Sequence, residues 1–201
     1  MKKLVILFSL SFFSLQLFAQ NLDINILKKI NTHLPVSGVW KGFSSSAYPV
    51  SAATPIAQFG YGYFSKNKTE QKNGIETAMS IASSAIIAEG FKVVINRDRP
   101  WQKYPTEVFP QSNETGQSFP SGHTTLAFAT ATSLTLEYKK WYIAAPAYLW
   151  AASVGYSRLY LGMHYPSDVF AGAVIGVGSG FLSHWITHKI YGAKLKVKSQ
   201  D

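Results

Sequence analysis

Five apolar segments most constrain what this 201-residue chain can fold into. They cover residues 43–64, 75–91, 121–137, 141–157 and 168–188. None shows sustained alternation of apolar and polar residues with a period of two, so we expect helices and few strands. A chain of this length supports one domain with a substantial core. The segments therefore predict a single all-α bundle of about five to six core helices.

The flanking stretches predict three further parts. A pair of lysines followed by an apolar run that ends at Ala19 predicts a signal peptide over residues 1–19, with an uncleaved membrane anchor as the alternative. Residues 20–42 form an N-terminal amphipathic segment, in which a short helix should end at Pro35. The bundle domain follows over residues 43–190, and residues 191–201 are a basic C-terminal tail.

Two compositional features favour a bundle in a membrane. Only 14% of the residues are charged, whereas about 25% is usual in soluble domains. If the segments alternate across a bilayer, residues 65–74, 138–140 and 189–201 share one side and carry nine lysines. The opposite stretches are more than twice as long and carry eight lysines and arginines, which fits the positive-inside rule. A mean hydropathy of +0.04, and only one segment (168–188) comfortably near spanning length, keep a soluble bundle open.

Three short fragments carry the chemistry. They are Lys92-V-V-I-N-R-D-Arg99-Pro100, Pro120-Ser121-Gly122-His123 and Ser157-Arg158-L-Y-L-G-M-His164-Y-P-S-Asp168. The planar guanidinium groups of Arg99 and Arg158 suit pairs of phosphoryl oxygens, and Lys92 adds a compact third charge. If one helix continued from Lys92 to Arg99, the two would share a face. Taken singly, each of these cations could be an ordinary solvated charge.

The second fragment is typical of a helix start. Ser121 is a good N-cap, Gly122 lets the backbone approach an oxyanion, and the free N–H groups of a helix start attract anions. His123 would then lie beside that anion and could protonate a leaving alkoxide. The alternative is a structural helix that Ser121 caps, with His123 exposed in its first turn.

The third fragment places His164 four residues before Asp168. An imidazole can attack phosphorus if one ring nitrogen is unprotonated and the other is held by a carboxylate. Asp168 can provide that hold. Asp168 also follows Pro166 and Ser167, so it could simply be a favourable residue at a helix start.

Other ligand chemistries have little support in the sequence. The net charge of +9 permits nucleic acid, an anionic membrane surface or phosphorylated substrates, but no basic patch with interleaved aromatic residues indicates nucleic acid. The chain has no cysteine, which excludes thiolate metal sites. His184 and His188 are four residues apart, but we expect no acidic residue nearby and therefore no metal site. Together with His33, they are interpreted as structural or surface residues.

The three fragments, in this order and with these spacings, resemble the signature of the type 2 phosphatidic acid phosphatase superfamily: K-x6-R-P, P-S-G-H and S-R-x5-H-x3-D. The resemblance implies an all-α bundle whose active site lies at the helix ends on one face, and a phosphohistidine intermediate without metal or cofactor. His164 would be the nucleophile, Asp168 its orienting partner and His123 the acid for the leaving group. The groups that would hold the phosphoryl oxygens are Lys92, Arg99, Ser121, Gly122 and Arg158, with Ser157 in a supporting hydrogen bond.

The predicted function is hydrolysis of a lipid phosphate or pyrophosphate at the periplasmic face of a bacterial inner membrane. Three alternatives remain: a soluble periplasmic acid phosphatase of broad specificity, a vanadium-dependent haloperoxidase, and a membrane protein that binds anions without catalysis. The sequence names neither an individual lipid nor a protein partner.

Overall fold

The computed structural model describes residues 21–31, 37–112 and 114–198. The expected signal peptide over residues 1–19 and the helix end expected at Pro35 lie outside these ranges. Throughout the described ranges the regular structure is helical, and no strand occurs. The predicted all-α bundle is therefore confirmed.

Seven helices follow one another along the described chain. The described part of α1 covers residues 21–30, and the others are α2 (Gly38–Phe64), α3 (Lys68–Ile95), α4 (Pro100–Lys103), α5 (Gly122–Tyr138), α6 (Trp141–Tyr160) and α7 (Pro166–Lys198). The turns between α2 and α3, and between α5 and α6, lie at one end of the bundle. The long connection from α3 to α5 and the short connection from α6 to α7 lie at the other end.

The helices do not break at two of the predicted domain boundaries. The boundary after residue 42 falls inside α2, where Gly42 faces open space and costs a helix only about 1 kcal/mol. The boundary after residue 190 falls inside α7, whose backbone stays helical to Lys198.

Helix α5 lies in the middle of the bundle and packs against α2, α3, α6 and α7. Its buried residues are all small: Thr124, Thr125, Ala127, Ala129, Thr130, Ala131, Thr132 and Ser133. Small side chains let the neighbouring helices approach α5 closely. This approach is tightest along α7, where a Cβ added to Gly172 would lie 2.7 Å from the Ser121 carbonyl oxygen. The close packing fixes the start of α7 beside the start of α5.

Large apolar side chains point outward instead of inward. Ile86 and Val93 on α3 and Phe170 on α7 are each more than 70% exposed, whereas the main buried cluster consists mainly of alanines. Helices α3 and α7 are also long and apolar enough to cross a membrane. A small-residue interior beneath a continuous apolar exterior is typical of helices packed in lipid.

Candidate active site

All three sequence fragments meet at the end of the bundle that carries the long connection. Lys92 lies in the last turn of α3, and Gly122 and His123 begin α5. Arg158 lies in the last turn of α6, and His164 lies in the connection to α7. The fragments therefore lie at helix ends on one face of the bundle, as the sequence predicted.

His164 is almost fully buried, and its tautomer follows from its contacts. Its Nδ1 lies 2.8 Å from the carbonyl oxygen of Ser118. Because a carbonyl oxygen can only accept a hydrogen bond, Nδ1 carries the proton and Nε2 keeps its lone pair. Burial, helped by the charge of Arg158, lowers the pKa of His164 to about 4, although Asp168 opposes the shift. The ring is therefore neutral at ordinary pH, with one nitrogen available for attack.

Asp168 holds this arrangement less directly than the sequence predicted. Its Oδ2 is 3.5 Å from His164 Nδ1, which is farther than the Ser118 carbonyl oxygen. The same Oδ2 accepts hydrogen bonds from the Ser118 hydroxyl at 2.5 Å and from the Tyr165 backbone at 2.9 Å. Asp168 thus fixes the two segments that flank the imidazole. The shorter contact with the His164 ring is made by the Ser118 carbonyl oxygen.

An ion-pair network that the sequence analysis missed extends from Asp168 to α1. Arg97 donates to Asp168 Oδ1 at 2.6 Å and to Asp23 Oδ2 at 2.9 Å. Asp23 also accepts hydrogen bonds from the backbone and the hydroxyl of Ser167. The guanidinium of Arg97 stacks 3.8 Å from the Tyr165 ring centroid. The N-terminal segment, expected to contain a short amphipathic helix, therefore anchors the connection that carries His164.

Arg99 and Arg158 form a buried pair of cations, and we call these two residues, together with His123 and His164, the arginine pocket. Arg99 is 5% exposed and Arg158 is 1% exposed. Both histidines interact electrostatically with both arginines. The Nε of Arg158 is buried and has no hydrogen-bond acceptor within the described ranges. An unsatisfied buried donor of this kind favours an incoming anion.

Glu114 is the second group that the sequence analysis missed. Its Oε2 accepts hydrogen bonds from Arg158 at 2.6 Å and from Arg99 at 3.3 Å. Burial alone would raise the pKa of Glu114, but the charges of Arg158, His123 and Arg99 outweigh it and hold the pKa below its usual value. The ionised carboxylate thus accepts the hydrogen bonds from Arg158 and Arg99 that phosphoryl oxygens would accept.

Gly122 leaves room beside two further polar groups. A Cβ added there would lie 3.7 Å from Lys92 Nζ and 3.8 Å from the Tyr48 hydroxyl. The Tyr48 ring also contacts His123 edge-on, with 4.5 Å between ring centroids. Helix α3 ends at Ile95, and Asn96 turns the backbone to φ 43°. Lys92 and Arg99 therefore do not share one helix face, and Arg99 reaches the pocket from the connection after α3.

Two serines differ from simple expectations. Ser121 stands at the N-cap of α5, but its side chain caps no backbone N–H, so the expectation of a side-chain cap is wrong. Its fully buried hydroxyl accepts a hydrogen bond from Thr124 Oγ1 instead, which leaves the first N–H groups of α5 without a side-chain partner from Ser121. The Ser157 hydroxyl donates to the Val154 carbonyl at 2.6 Å, so this hydrogen bond supports α6 rather than the pocket.

A cleft of about 420 Å³ adjoins the arginine pocket. Most of its lining residues are polar; the lining comprises Lys41, Gly42, Ser44, Ser45, Gln111, Ser112, Glu114, His123 and Leu161. Ser44 also accepts a 2.5 Å hydrogen bond from Arg158, so the cleft and the pocket share a wall.

The remaining histidines lie elsewhere. His33 is outside the described ranges. His184 Nδ1 lies 2.5 Å from Glu76 Oε1, so the expectation that no acidic residue lies near His184 and His188 is wrong. The two partners are 108 residues apart in the sequence, which is why local spacing could not reveal them.

Known proteins share this fold and this sequence pattern. The sequence pattern of the PAP2 superfamily matches residues 74–191, which is more than half of the chain. The chain belongs to the PAP2 superfamily. The matched region contains all three fragments, so the resemblance seen in the sequence is confirmed.

Individual relatives are lipid phosphatases by name. A lipid A 1-phosphatase of Porphyromonas gingivalis is 32% identical over 68% of this chain and 28% of its own length. An undecaprenyl-diphosphatase of Sulfolobus acidocaldarius is 33% identical over 58% of this chain and 56% of its own. The chain thus matches between about a quarter and just over half of the length of these relatives.

The crystal structure of Aquifex aeolicus LpxE superimposes with a TM-score of 0.65 at 28% identity, covering 81% of this chain and 94% of that one. A transmembrane PAP2-type phosphatidylglycerolphosphate phosphatase from Bacillus subtilis superimposes with a TM-score of 0.69 at 24% identity, covering 86% of this chain and 87% of that one. This second likeness supports the fold.

Proposed function

We propose that the protein is a membrane phosphatase that hydrolyses a lipid phosphate or diphosphate through a phosphohistidine on His164. The observation that carries this proposal is the neutral His164 ring, with Nε2 free, beside two buried arginines and the unsatisfied Nε of Arg158. These groups provide a nucleophile and a preorganised site for negative charge, which phosphoryl transfer requires.

Binding of the substrate begins with an exchange of anions. The phosphoryl oxygens replace the Glu114 carboxylate at Arg99 and Arg158, and a third oxygen meets the N–H groups at the start of α5. Lys92 adds charge from the side of Gly122. Glu114 then needs another partner, and Lys41 is the basic residue in the lining of the same cleft.

The chemistry proceeds in two displacements. In the first, Nε2 of His164 attacks phosphorus, and the bond from phosphorus to the leaving oxygen breaks. Burial and the charge of Arg158 lower the pKa of His123 to about 3, so this ring is neutral in the free site. His123 therefore accepts the proton of the substrate's phosphate monoanion and passes it to the leaving oxygen. In the second, neutral His123 takes a proton from water, the resulting hydroxide attacks phosphorus, and the bond to His164 breaks. Orthophosphate leaves, and both histidines return to their starting states.

The substrate class is a lipid with a polar head group. The exterior of α3 and α7 is apolar enough to lie in a bilayer, so substrates that reside there have access to the site. The cleft beside the pocket is lined with serines, Gln111 and Lys41, which suit hydroxyl-rich or phosphorylated head groups. The names of the lipid A phosphatase and undecaprenyl-diphosphatase relatives fit this chemistry. The apolar exterior opposes the soluble alternative.

Trapping the covalent intermediate tests the mechanism. Purified protein with 32P-labelled lipid phosphate in EDTA should release phosphate and, on rapid quenching, carry an acid-labile label. His164→Ala should lose the label and at least about 10⁴-fold in kcat. Lys66→Ala, a change at the far end of the bundle, serves as the matched preparation control. Label on any other residue would refute the nucleophile assignment.

Cysteine labelling tests the proposed periplasmic face. The chain contains no cysteine, so a single introduced cysteine gives an unambiguous signal. In cells with a permeabilised outer membrane, an impermeant maleimide should label Gln111→Cys at the cleft. It should label Lys66→Cys, at the opposite end, only after lysis. The reverse pattern would place the active site in the cytoplasm.

A further inference from the structure

Three potential metal ligands meet at the end of the bundle opposite the arginine pocket. Glu76 lies on α3, and His184 and His188 lie on α7. One carboxylate oxygen and one nitrogen from each imidazole all lie within 4.8 Å of one another. The two imidazole centroids are 4.2 Å apart. We call these three residues the distal cluster.

Helix geometry explains the convergence of the two histidines. Residues four apart on a helix share one face, so α7 presents both imidazoles toward the same neighbour. That neighbour is α3, which packs against α7 along the bundle and contributes the carboxylate. The histidines alone offer two ligands, and the fold adds the third.

The buried carboxylate of Glu76 is stabilised by positive charge beside it. Glu76 is only 1% exposed, and its Oε1 lies 2.5 Å from His184 Nδ1. A buried carboxylate is costly unless it is paired with a cation or coordinates a metal. Glu137 also interacts electrostatically with Glu76, and Lys72 and Lys139 interact with His188. The cost of burying the Glu76 carboxylate therefore favours a cation beside it.

We propose that the distal cluster binds a divalent transition-metal ion of the zinc class, with water as the fourth ligand. Two imidazoles and one carboxylate form a typical zinc donor set, whereas Mg²⁺ and Ca²⁺ prefer oxygen ligands alone. Tetrahedral coordination at zinc distances separates ligand atoms by about 3.3 Å. The exposed His188 ring can rotate to close the longest spacing, and His184 must draw back from Glu76 by less than about 1 Å.

The bound ion would connect α3 to α7 and take no part in phosphoryl transfer. Glu76 precedes Lys92 by 16 residues of continuous helix, which corresponds to about 24 Å along α3. The site is therefore independent of the proposed phosphatase function. Metal removal should change the stability of the bundle and leave the arginine pocket intact.

Metal titration of the full chain tests the proposal. Detergent-purified protein without a polyhistidine tag is stripped with EDTA, exchanged into chelator-free buffer and titrated with Zn²⁺ and with Co²⁺. We expect one equivalent of Zn²⁺ by elemental analysis, a visible Co²⁺ absorption typical of four-coordinate geometry, and a higher melting temperature. His188→Ala should weaken binding at least about tenfold.

Two comparisons make the result decisive. Glu76→Gln should also lose the metal, whereas Glu89→Gln, a change to an exposed carboxylate on the same helix, should retain it. Because His188 is exposed, His188→Ala should fold even if Glu76→Gln does not. Equal Zn²⁺ binding by the original chain and His188→Ala would overturn the proposal, as would binding lost only in His123→Ala.

Discussion

The two ends of the bundle bury opposite kinds of charge. At the arginine pocket, the guanidinium groups of Arg99 and Arg158 are buried, and Arg158 Nε lacks an acceptor within the described ranges. At the other end, Glu76 is buried and Glu137 is half-buried, and both are acidic residues. Glu76 and Glu137 lie on α3 and α5, whereas Arg158 lies on α6 and Arg99 lies in the connection after α3.

This difference indicates which ligand each end can accept. A site with surplus donors gains free energy from an anion, and a site with surplus acceptors gains it from a proton or a metal cation. Within the described part of the chain, Glu137 forms no ion pair and accepts hydrogen bonds from Thr77 and Gln58. The pocket at one end is thus suited to phosphate, and the cluster at the other end is suited to a positive ligand.

Removing Arg97 should have the largest effect at the arginine end. Arg97→Ala leaves Asp168 and Asp23 without their shared partner, and breaking a buried ion pair costs about 3–5 kcal/mol. Since Asp168 positions the segments around His164, kcat should also fall about 100-fold. Thermal unfolding and single-turnover kinetics in detergent measure the two effects.

Arg97→Lys is the matched control, because a lysine keeps the charge but cannot bridge two carboxylates with a planar fork. It should lie between the original chain and Arg97→Ala in both measurements. Unchanged stability in Arg97→Ala would mean that α1 does not anchor the His164 connection.

The second-largest effect is expected in the fall of kcat/KM at low pH. Protonation of Nε2 removes the lone pair that attacks phosphorus, and burial lowers the pKa of His164 to about 4. Values of kcat/KM should therefore hold down to about pH 5 and fall tenfold per unit below about pH 4, once the substrate's own titration is subtracted. A limb near pH 6.5 would mean that His164 is solvated in the free enzyme.

The sequence predicted the helices and the motif residues because both depend on local pattern. Long apolar segments indicate helices, and the spacing within each fragment brings His164 near Asp168 through a single turn. The contributions of Asp23, Arg97 and Glu114 were missed, because each depends on a partner between 15 and 144 residues away. No local spacing distinguishes these side chains from solvated surface charges.

The same limit applies to the distal end. His184 and His188 were recognised as one helix face, but Glu76 comes to them only through the packing of α3 on α7. The cap expected at Ser121 failed for a related reason. A serine before a helix usually accepts a hydrogen bond from a backbone N–H of the first turn. Here the Ser121 hydroxyl accepts a hydrogen bond from the Thr124 side chain, three residues later.

Glu114→Gln should strengthen product inhibition by orthophosphate about tenfold. The Glu114 carboxylate competes with phosphate for Arg99 and Arg158, so its neutralisation should lower the inhibition constant of orthophosphate. The melting temperature should fall slightly, because Arg158 loses its charged partner.

Glu107→Gln is the control for this change, since Glu107 pairs with Lys28 and does not line the cleft. Weaker inhibition by orthophosphate in Glu114→Gln would contradict the competition and would indicate that the carboxylate assists phosphate binding.

The smallest effect is expected from Glu137→Gln at the distal end of α5. The amide keeps the shape but disrupts one of the hydrogen bonds from Thr77 and Gln58, so stability should fall by about 1 kcal/mol. The value of kcat should stay within about twofold, because helix α5 separates Glu137 from His123 by 14 residues, or about 21 Å. A tenfold loss of kcat, with stability unchanged, would mean that α5 transmits changes between the ends and that the two buried charge sets act as one system.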